Sequence, residues 1–356
     1  MNFIKQNVYL LALGLAAGLS ACKEEAPFTP IEPIAGTHTI EVGPRYENQV
    51  FIDLSTGKTV SKSANSWDIA FESTGGMAIR TNNAKKAGVA KMSTTDFASV
   101  TTAPAASTIR YDDLSGDLTK TAVGTWGSSN GTSDKQVYVI NLGNNPPSSA
   151  EAIGYKKFVI NSFTNGKYNI TYSNLNGSDL HTVEVTPDTR FNFTYFSFAN
   201  GVVEVEPEMG KWDLVFSGAT VPGGGPSGSY VVTVGAFTNR YDGVQVAVDN
   251  PGKDLSSTDN PDAPINTFPS SNSRFEAIAK ADFSTLANAG IDAQIIGRSW
   301  WQILAPHAQQ NYKVYDWKTY ILKDNEGKHF KLRFLTFKGG PNITVGYPSF
   351  EYKELL

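Results

Sequence analysis

The chain has 356 residues, enough for about two domains of 100–200 residues and too many for one small domain. Hydrophobic residues make up 40% and charged residues 18%, a balance that excludes a disordered chain. Lys and Arg number 30 against 34 Asp and Glu, the net charge is −4, and no basic run is present, which argues against a nucleic-acid partner. The 32 Gly, 15 Tyr and 20 Phe favour short strands joined by turns.

Residues 1–22 have the pattern of an export signal. Lys5 precedes an apolar stretch over 8–19, which is too short to cross a bilayer of about 30 Å. The single cysteine, Cys22, ends the run LSAC, which resembles the lipobox that is cleaved before a lipid-modified cysteine. We therefore predict a lipid anchor on Cys22, the alternative being a chance cysteine in a signal peptide. Acyl chains contribute about 0.8 kcal/mol per buried CH₂ to membrane binding.

Residues 23–36 are predicted to form a tether. The run KEE at 23–25 resembles the acidic export signal of Bacteroidetes-type lipoproteins that reach the cell surface. The prolines at 27, 30 and 33 favour an extended chain. These features predict an outer-membrane or cell-surface location, with the folded part held away from the membrane by its anchor.

The rest of the chain contains one pattern twice. An aromatic run over 46–54 leads to WDIAF at 67–71, and a similar run over 193–198 leads to WDLVF at 212–216. Self-similarity of this kind indicates a duplicated structural unit. With the boundary near residues 187–188, it predicts an N-terminal domain over 37–188 and a C-terminal domain over 189–356.

Further blocks repeat in the same order. Residues 157–160 with a Gly turn resemble residues 319–322 with a Gly turn. Apolar and polar residues alternate with period two, for example over 168–172, as in half-buried strands. Asn165-Gly166 and Glu326-Gly327 predict hairpin turns.

One stretch has helical spacing. The apolar positions near 274–290 predict a helix, and they are Phe275, Ile278, Phe283 and Leu286. Residues 141–149 and 249–272 are rich in Pro and Asn and predict loops. The fold class is therefore all-β, with antiparallel sheets and at most one or two short helices.

The order of these blocks resembles the HmuY-type haem-binding lipoprotein family of Bacteroidetes. The resemblance rests on the aromatic strand, the Trp-Asp strand, and an Asn after the following strand, Asn82 or Asn239. In the C-terminal copy it continues through GRSWW at 297–301 to a closing strand at 349–352. It implies two tandem HmuY-like β-domains, of a kind whose two sheets grip one haem.

The resemblance also implies where haem would be held. Family members ligate iron with two side chains, one just after the Trp-Asp strand and one after a Gly-x-Trp segment, which leaves no open position for chemistry. Glu72 and Ser217 occupy the first position in the two copies, and neither is a usual haem ligand. His307 falls at the second position and is the predicted iron ligand. Met77 is a second candidate, since some relatives use methionine. The alternatives are an exposed loop histidine and a core methionine.

The Trp-Asp pairs are predicted to be structural. An indole on an alternating strand usually anchors the core, as expected for Trp67 and Trp212. Asp68 and Asp213 follow on the opposite face as hydrogen-bond acceptors. No metal-binding spacing joins the remaining histidines, which are His38, His181 and His329.

Other patterns do not indicate an enzyme. The glycines within 223–228 match the dinucleotide fingerprint, but a strand-like run follows where that site needs a helix. The alternating glutamates within 204–208 predict a solvated strand edge rather than a glycosidase pair. No hydrolase, protease, nucleotide-loop or CxxC motif is present.

Two functions stay open. The first is a non-catalytic surface lipoprotein that captures haem for uptake and, as the family implies, delivers it to a TonB-dependent outer-membrane receptor. The second is an interaction or structural lipoprotein that kept the fold and lost haem, with Tyr and Trp supplying a contact surface. The absent first ligand favours the second, and the family resemblance favours the first.

Overall fold

A computed structural model shows the alternating segments as antiparallel strands, as predicted. It describes residues 32–223, 229–252, 254–259, 271–286, 289–304 and 311–356. Cys22 and His307 lie outside the described residues, so the predictions on both stay predictions. Pro33–Leu356 is one compact unit. Among the described residues, no helix combines the length and apolar character that a membrane span requires.

The N-terminal copy contributes the first strands. They are β1 (Ala35–Thr39), β2 (Asn48–Asp53), β3 (Lys58–Ser63), β4 (Ile69–Glu72), β5 (Ile79–Thr81), β6 (Gly88–Lys91), β7 (Val137–Asn141), β8 (Tyr155–Thr164), β9 (Lys167–Ser173) and β10 (His181–Val185).

The C-terminal copy contributes the other strands and two short helices. The strands are β11 (Phe193–Ser197), β12 (Gly201–Val203), β13 (Leu214–Pro222), β14 (Tyr230–Thr238), β15 (Gln245–Asp249), β16 (Trp301–Leu304), β17 (Asn311–Val314), β18 (Thr319–Lys323), β19 (His329–Gly339) and β20 (Thr344–Leu355). The helices are α1 (Ser271–Ala277) and α2 (Asp282–Thr285).

The predicted helix near 274–290 is therefore interrupted. Phe275 and Ile278 are buried as its apolar pattern requires, but the backbone leaves the helix after Ala277. The Asp282 carboxylate accepts a hydrogen bond from the Ala279 N–H at 2.8 Å. This local bond competes with helical hydrogen bonds, and α2 begins only at Asp282.

The strands form two lobes, each with two sheets around its own apolar core. In the first lobe, sheet β12-β11-β4-β5 shares a core with sheet β10-β9-β8-β7-β6. In the second lobe, sheet β14-β13-β2-β3 shares a core with sheet β1-β20-β19-β18-β15. Packing two sheets over one core is the standard way to bury one face of each. Strands β16 and β17 form a separate hairpin.

The two copies exchange strands between the lobes. In the first lobe β4 pairs with β11, and Ile69 lies opposite Phe196. In the second lobe β13 pairs with β2, and Leu214 lies opposite Ile52. Strand β1 also pairs with β20, at the other end of the chain. Each lobe is thus completed by strands from the other sequence copy, which the repeat alone did not indicate.

The hairpin turns are confirmed, but one correspondence between the copies is corrected. Asn165 and Gly166 have φ of 53° and 72° between β8 and β9, and Gly327 has φ of 85° between β18 and β19. By position in the sheets, β8 corresponds to β19 rather than to β18. Gly turns follow both strands, so turn residues could not separate the two alignments.

A buried lysine supports this correspondence. On β8, the Lys157 ammonium donates to the Phe97 carbonyl at 2.8 Å. On β19, the Lys331 ammonium donates to the Phe275 carbonyl at 2.6 Å. Each ammonium also lies over the ring of the same phenylalanine, at 4.7 and 4.8 Å from its centroid. Both lysines therefore fasten a connecting segment to the outside of the sheet.

The strand exchange predicts the behaviour of a cleaved chain. We expect that cutting between Pro187 and Asp188, at an inserted protease site, leaves both fragments in one particle, because three strand pairings join them. Size-exclusion chromatography of the cut protein, with and without denaturant, checks this. Fragments that separate in native buffer would show that the two predicted domains, 37–188 and 189–356, are independent units.

Candidate functional site

The two Trp-Asp pairs meet where the lobes join, in matching surroundings. Trp67 is 4% exposed and Trp212 is 5% exposed, and both belong to one apolar cluster. Trp67 packs edge-on to Tyr195 at 4.8 Å between ring centroids, and Trp212 packs edge-on to Phe51 at 5.0 Å. Tyr195 and Phe51 hold the same register position opposite their Trp-Asp strands. The prediction that both indoles are core anchors is confirmed.

The aspartates are hydrogen-bond acceptors, also as predicted. Asp68 Oδ2 accepts from the Phe198 N–H at 2.7 Å, and Asp213 Oδ2 accepts from the Leu54 N–H at 2.8 Å. Phe198 and Leu54 each follow the strand that the other copy donates to the lobe. The Trp-Asp motif therefore fastens each exchanged strand at its end.

The charges around the two aspartates differ. Lys85 Nζ lies 2.6 Å from Asp68 Oδ1, and both side chains are buried. The equivalent of Lys85 in the C-terminal copy is Asp242, the last residue of a matching 3₁₀ turn. No cation of the described ranges pairs with Asp213 in this way, and burial raises its pKa to about 7, with nearby carboxylates such as Asp324 adding to the shift. Sequence reasoning missed Lys85 because its partner is distant in sequence.

An open groove at one end of the first lobe brings together the two positions of the N-terminal copy at which the family resemblance implies ligands. It has a volume of about 780 Å³, in the range of small-molecule sites. Its lining includes Glu72, at the end of β4, with Met77, and also Ser129 and Asn130. These last two follow Gly124-Thr125-Trp126, a Gly-x-Trp segment that the sequence comparison overlooked.

Met77 is positioned by the core beneath it. Its side chain is partly buried and packs against the apolar core of the first lobe. Its carbonyl accepts a hydrogen bond from Trp126 Nε1 at 2.9 Å. The preceding residues, Gly75 and Gly76, also line the groove and leave it wide. A thioether in such a wall can act as an apolar contact or as an iron ligand.

Glu72 is held by its own loop. Its Oε2 accepts a hydrogen bond from the Ala78 N–H at 3.0 Å. The Tyr168 hydroxyl lies buried nearby without a hydrogen-bond partner. Burial, and then the Glu72 carboxylate, raise the pKa of Tyr168, so this phenol stays protonated. The groove is large enough for haem, and the Met77 sulfur is a side-chain atom that can bind its iron. Glu72, Ser129 and Asn130 are not usual iron ligands.

The first ligand position of the C-terminal copy is buried. Ser217 is 5% exposed, and its hydroxyl donates to the Gly218 carbonyl at 2.9 Å. It lines a small, partly open cavity between the lobes. His307 belongs to the segment between β16 and β17, outside the described residues. The hairpin of β16 and β17 packs against Phe337 of β19 through Trp301 and Tyr312, whose ring centroids lie 4.4 and 4.2 Å from the Phe337 ring centroid.

Two of the other histidines contact neighbouring side chains. His38 stacks on Phe350 and Tyr352, and His181 contacts Asp179. Within the described part of the chain, no group of three His, Cys, Asp or Glu could hold a metal ion.

The predicted solvated edge over 204–208 is wrong for Glu206. This residue is 4% exposed, and its carboxyl accepts from the Phe193 N–H at 2.7 Å and from the Tyr195 hydroxyl at 3.2 Å. Glu206 turns inward at the junction of the lobes, where the exchanged strand β11 supplies its partners.

Comparison with known proteins identifies the repeated unit. The family model described as HmuY protein matches residues 45–192 and again residues 189–352. No protein of curated function matches the sequence.

Three solved structures are similar at low identity. An apo HmuY analog of Tannerella forsythia is 12% identical, covers 92% of this chain and 98% of its own, and has a TM-score of 0.25. Apo PinO of Porphyromonas gingivitis is 12% identical, with 90% and 97% covered and a TM-score of 0.29. A Bacteroides vulgatus protein, considered to be HmuY-like and haem-binding, is 11% identical, with 90% and 91% covered and a TM-score of 0.23. No function is transferred from structural similarities this weak.

Proposed function

Because the chain belongs to the HmuY family, with two tandem HmuY domains, we propose that it is a non-catalytic lipoprotein that captures haem. The observation that supports this most directly is the open groove of about 780 Å³ at Met77. The groove joins the two positions at which the family resemblance places ligands. It offers the partly buried Met77 thioether and the partly buried Phe163 ring in one wide opening that is otherwise lined mainly by polar residues.

The residues of the groove would bind and orient haem rather than react with it. Haem, when bound, supplies an iron that accepts axial ligands. The Met77 sulfur and the partly buried Phe163 ring, which both line the groove, would hold the haem. Because Glu72 is tied to the loop that carries Met77, it would hold the loop in place. This arrangement supports capture without catalysis.

A second site is proposed in the C-terminal copy. There His307, carried over from the family resemblance, would be the axial ligand. Ser217 at the other position is buried and bonded to its own backbone, so binding through His307 would use a single protein ligand from this copy. Iron that is held by one imidazole, with no second protein ligand, is expected to be penta-coordinate or to bind more weakly.

Location and partners follow from the amino-terminal sequence and the family. We propose that Cys22 carries the lipid anchor, that the tether holds the domains away from the outer membrane, and that haem passes to a TonB-dependent receptor. The tether was predicted over 23–36, but β1 begins at Ala35 and pairs with β20, so residues 35 and 36 belong to the folded part. Mass spectrometry of the membrane-extracted protein would detect the acylated Cys22. A mature protein without acyl chains would contradict the anchor.

Haemin titration followed by absorbance tests the function. We expect a Soret shift relative to free haemin, lost or weakened at least about tenfold in Met77→Ala if the groove is the main site. The same loss in His307→Ala would place binding in the C-terminal copy. Met92→Ala is the matched control, since Met92 packs in a separate small cluster. No shift with the wild-type chain, or an unchanged shift in both variants, would contradict the proposal.

The rival function is an interaction lipoprotein that kept the fold and lost haem. It is favoured by one observation, that neither Glu72 nor Ser217 is a usual haem ligand and both are engaged in hydrogen bonds. Absence of a Soret shift in the titration would favour this function.

A further inference from the structure

A second binding site lies between the lobes. A small, partly open cavity of about 80 Å³ is formed where the two Trp-Asp strands meet, and it shares no lining residue with the groove at Met77. Both sequence copies contribute to its walls. Its aromatic lining consists of Phe51, Trp67, Tyr195, Trp212, Phe237 and Tyr241.

Arg80 is the cation of this cavity. Its guanidinium lies over the rings of Phe193 and Tyr241, at 4.9 and 5.3 Å from the centroids. The nearest carboxylate oxygen, on Asp112, is 3.9 Å from Arg80 Nε, too far for a hydrogen bond. Among the residues that the structure describes, none accepts a hydrogen bond from this guanidinium, although a quarter of the Arg80 side chain remains accessible.

Asp112 is occupied by other donors. Its two oxygens accept from the Thr81 N–H at 2.8 Å, the Thr81 hydroxyl at 2.9 Å and the Ala122 N–H at 2.8 Å. Asp112 therefore balances the charge of Arg80 but accepts no hydrogen bond from the N–H groups of the Arg80 guanidinium. Those donors are left for a ligand with acceptor oxygens.

Two more donors beside the cavity lack partners. Trp212 and Thr238 are both more than nine-tenths buried, and within the described residues neither Trp212 Nε1 nor Thr238 Oγ1 has a hydrogen-bond partner. Trp67, the equivalent of Trp212 in the other copy, donates to Gln49 Oε1 at 2.7 Å. Buried donors without acceptors are uncommon in native proteins. Asn83 Oδ1, an acceptor on the same wall, also lacks a partner among the described residues, so the cavity offers unpaired donors together with one unpaired amide oxygen.

The carboxyl groups of the cavity have other partners. Glu206 already accepts from Phe193 and Tyr195, and burial raises its pKa to about 8, so it is mostly uncharged at neutral pH. Asp113 accepts from the Ser115 N–H at 2.9 Å. Among the described residues of the lining, the groups without partners are thus the Trp212 indole N–H, the Thr238 hydroxyl and the Asn83 amide oxygen, and Arg80 is the one cation.

We propose that the cavity between the lobes binds a small monocarboxylate through Arg80. A planar carboxylate matches the planar guanidinium fork, which favours bidentate pairing. The aromatic walls accommodate a short apolar tail, which a phosphate ion lacks. A volume of about 80 Å³ limits the ligand to a few heavy atoms, as in acetate or propionate. This site goes beyond the proposed haem function and does not depend on it.

Acetate titration of the full ¹⁵N-labelled chain tests the site. We expect saturable shifts of the Trp67 and Trp212 indole N–H resonances in the two-dimensional NMR spectrum. Acetamide has the same shape without the charge and should give no saturable shift, and neither should phosphate. No saturation with acetate, or an equal response to acetamide, would overturn the proposal. A response to phosphate alone would replace the carboxylate with an inorganic anion and would also overturn it.

Variants locate the site. Arg80→Met should weaken acetate binding at least about tenfold. Arg190→Met is the matched control, because Arg190 is an exposed arginine paired with Asp188. An unchanged acetate response in folded Arg80→Met would show that the anion binds elsewhere. Should Arg80→Met fail to fold, Arg80→Lys keeps the charge without the fork, and acetate binding as tight as in the wild type would contradict bidentate pairing.

Discussion

Replacing Asp68 by asparagine should lower the free energy of unfolding by about 3–5 kcal/mol, the range for breaking a buried ion pair by removing one partner. Asp68 and Lys85 are both buried, with side chains 9% and 2% exposed, and their atoms lie 2.6 Å apart. The asparagine would keep an acceptor for the Phe198 N–H, but it would leave the Lys85 ammonium buried without a counter-charge.

Urea unfolding at neutral pH measures this effect. The double variant Asp68→Asn with Lys85→Met has no buried charge at this position and should recover much of the lost stability. The proposed role of the pair would be wrong if Asp68→Asn alone unfolded at the same urea concentration as the wild-type protein.

Replacing Asp213, the equivalent residue of the other copy, by asparagine should change the free energy of unfolding in the opposite direction. We expect Asp213→Asn to raise the free energy of unfolding by up to about 4 kcal/mol above neutral pH, since folded and unfolded pKa values that differ by about three pH units correspond to that energy. Asp213 is 6% exposed, pairs with no cation of the described residues, and has a pKa raised to about 7 by burial. Asparagine can still accept the Leu54 N–H.

The stabilisation by Asp213→Asn should depend on pH. Because the folded pKa of Asp213 lies above its unfolded value, the folded state holds this proton more tightly. The Asp213 carboxyl therefore costs nothing below about pH 4, and its cost grows as the pH rises to about 7. Stability of Asp213→Asn relative to the wild type should increase over this range. Urea midpoints at pH 4.5 and pH 8 measure it, and a difference that is equal at both would contradict the assignment.

The opposite signs follow from one divergence between the copies. Both aspartates end the Trp-Asp motif and fasten an exchanged strand. The 3₁₀ turn beside Asp68 ends in Lys85, whereas the turn beside Asp213 ends in Asp242. The first copy thus holds its exchanged strand with a paired charge, and the second holds it with a carboxyl that is partly protonated near neutral pH.

Several features were predictable from residues that lie close together in the chain. Period-two alternation identified strands such as β9, and Asn165-Gly166 identified its turn. The repeated Trp-Asp motif identified two equivalent core anchors. These features depend on local backbone preferences and on which face of a strand is apolar, and both are written in consecutive residues.

Other features depended on contacts between strands and loops that alternation along one strand does not describe. The alternation of Glu206 suggested a solvated edge, but its buried partners Phe193 and Tyr195 come from the exchanged strand. The groove at Met77 required Ser129, which lies far along the chain from Glu72. Periodicity describes which face of a strand is buried, and it does not say which strand lies beside it.

The amino-acid sequence was sufficient for the class of fold, the duplication, and the family to which both copies belong, because each is expressed in short blocks that recur in order. Only the folded chain decided that the copies complete each other's sheets, that Lys85 pairs with Asp68 while Asp213 is buried among other carboxylates, and that Arg80 faces a cavity shared by both copies. The physical reason is that strand pairing and burial of charge are settled by contacts between distant segments. A strand edge accepts any partner with a compatible register, so the choice between the same copy and the other copy is made by the packing of the whole molecule.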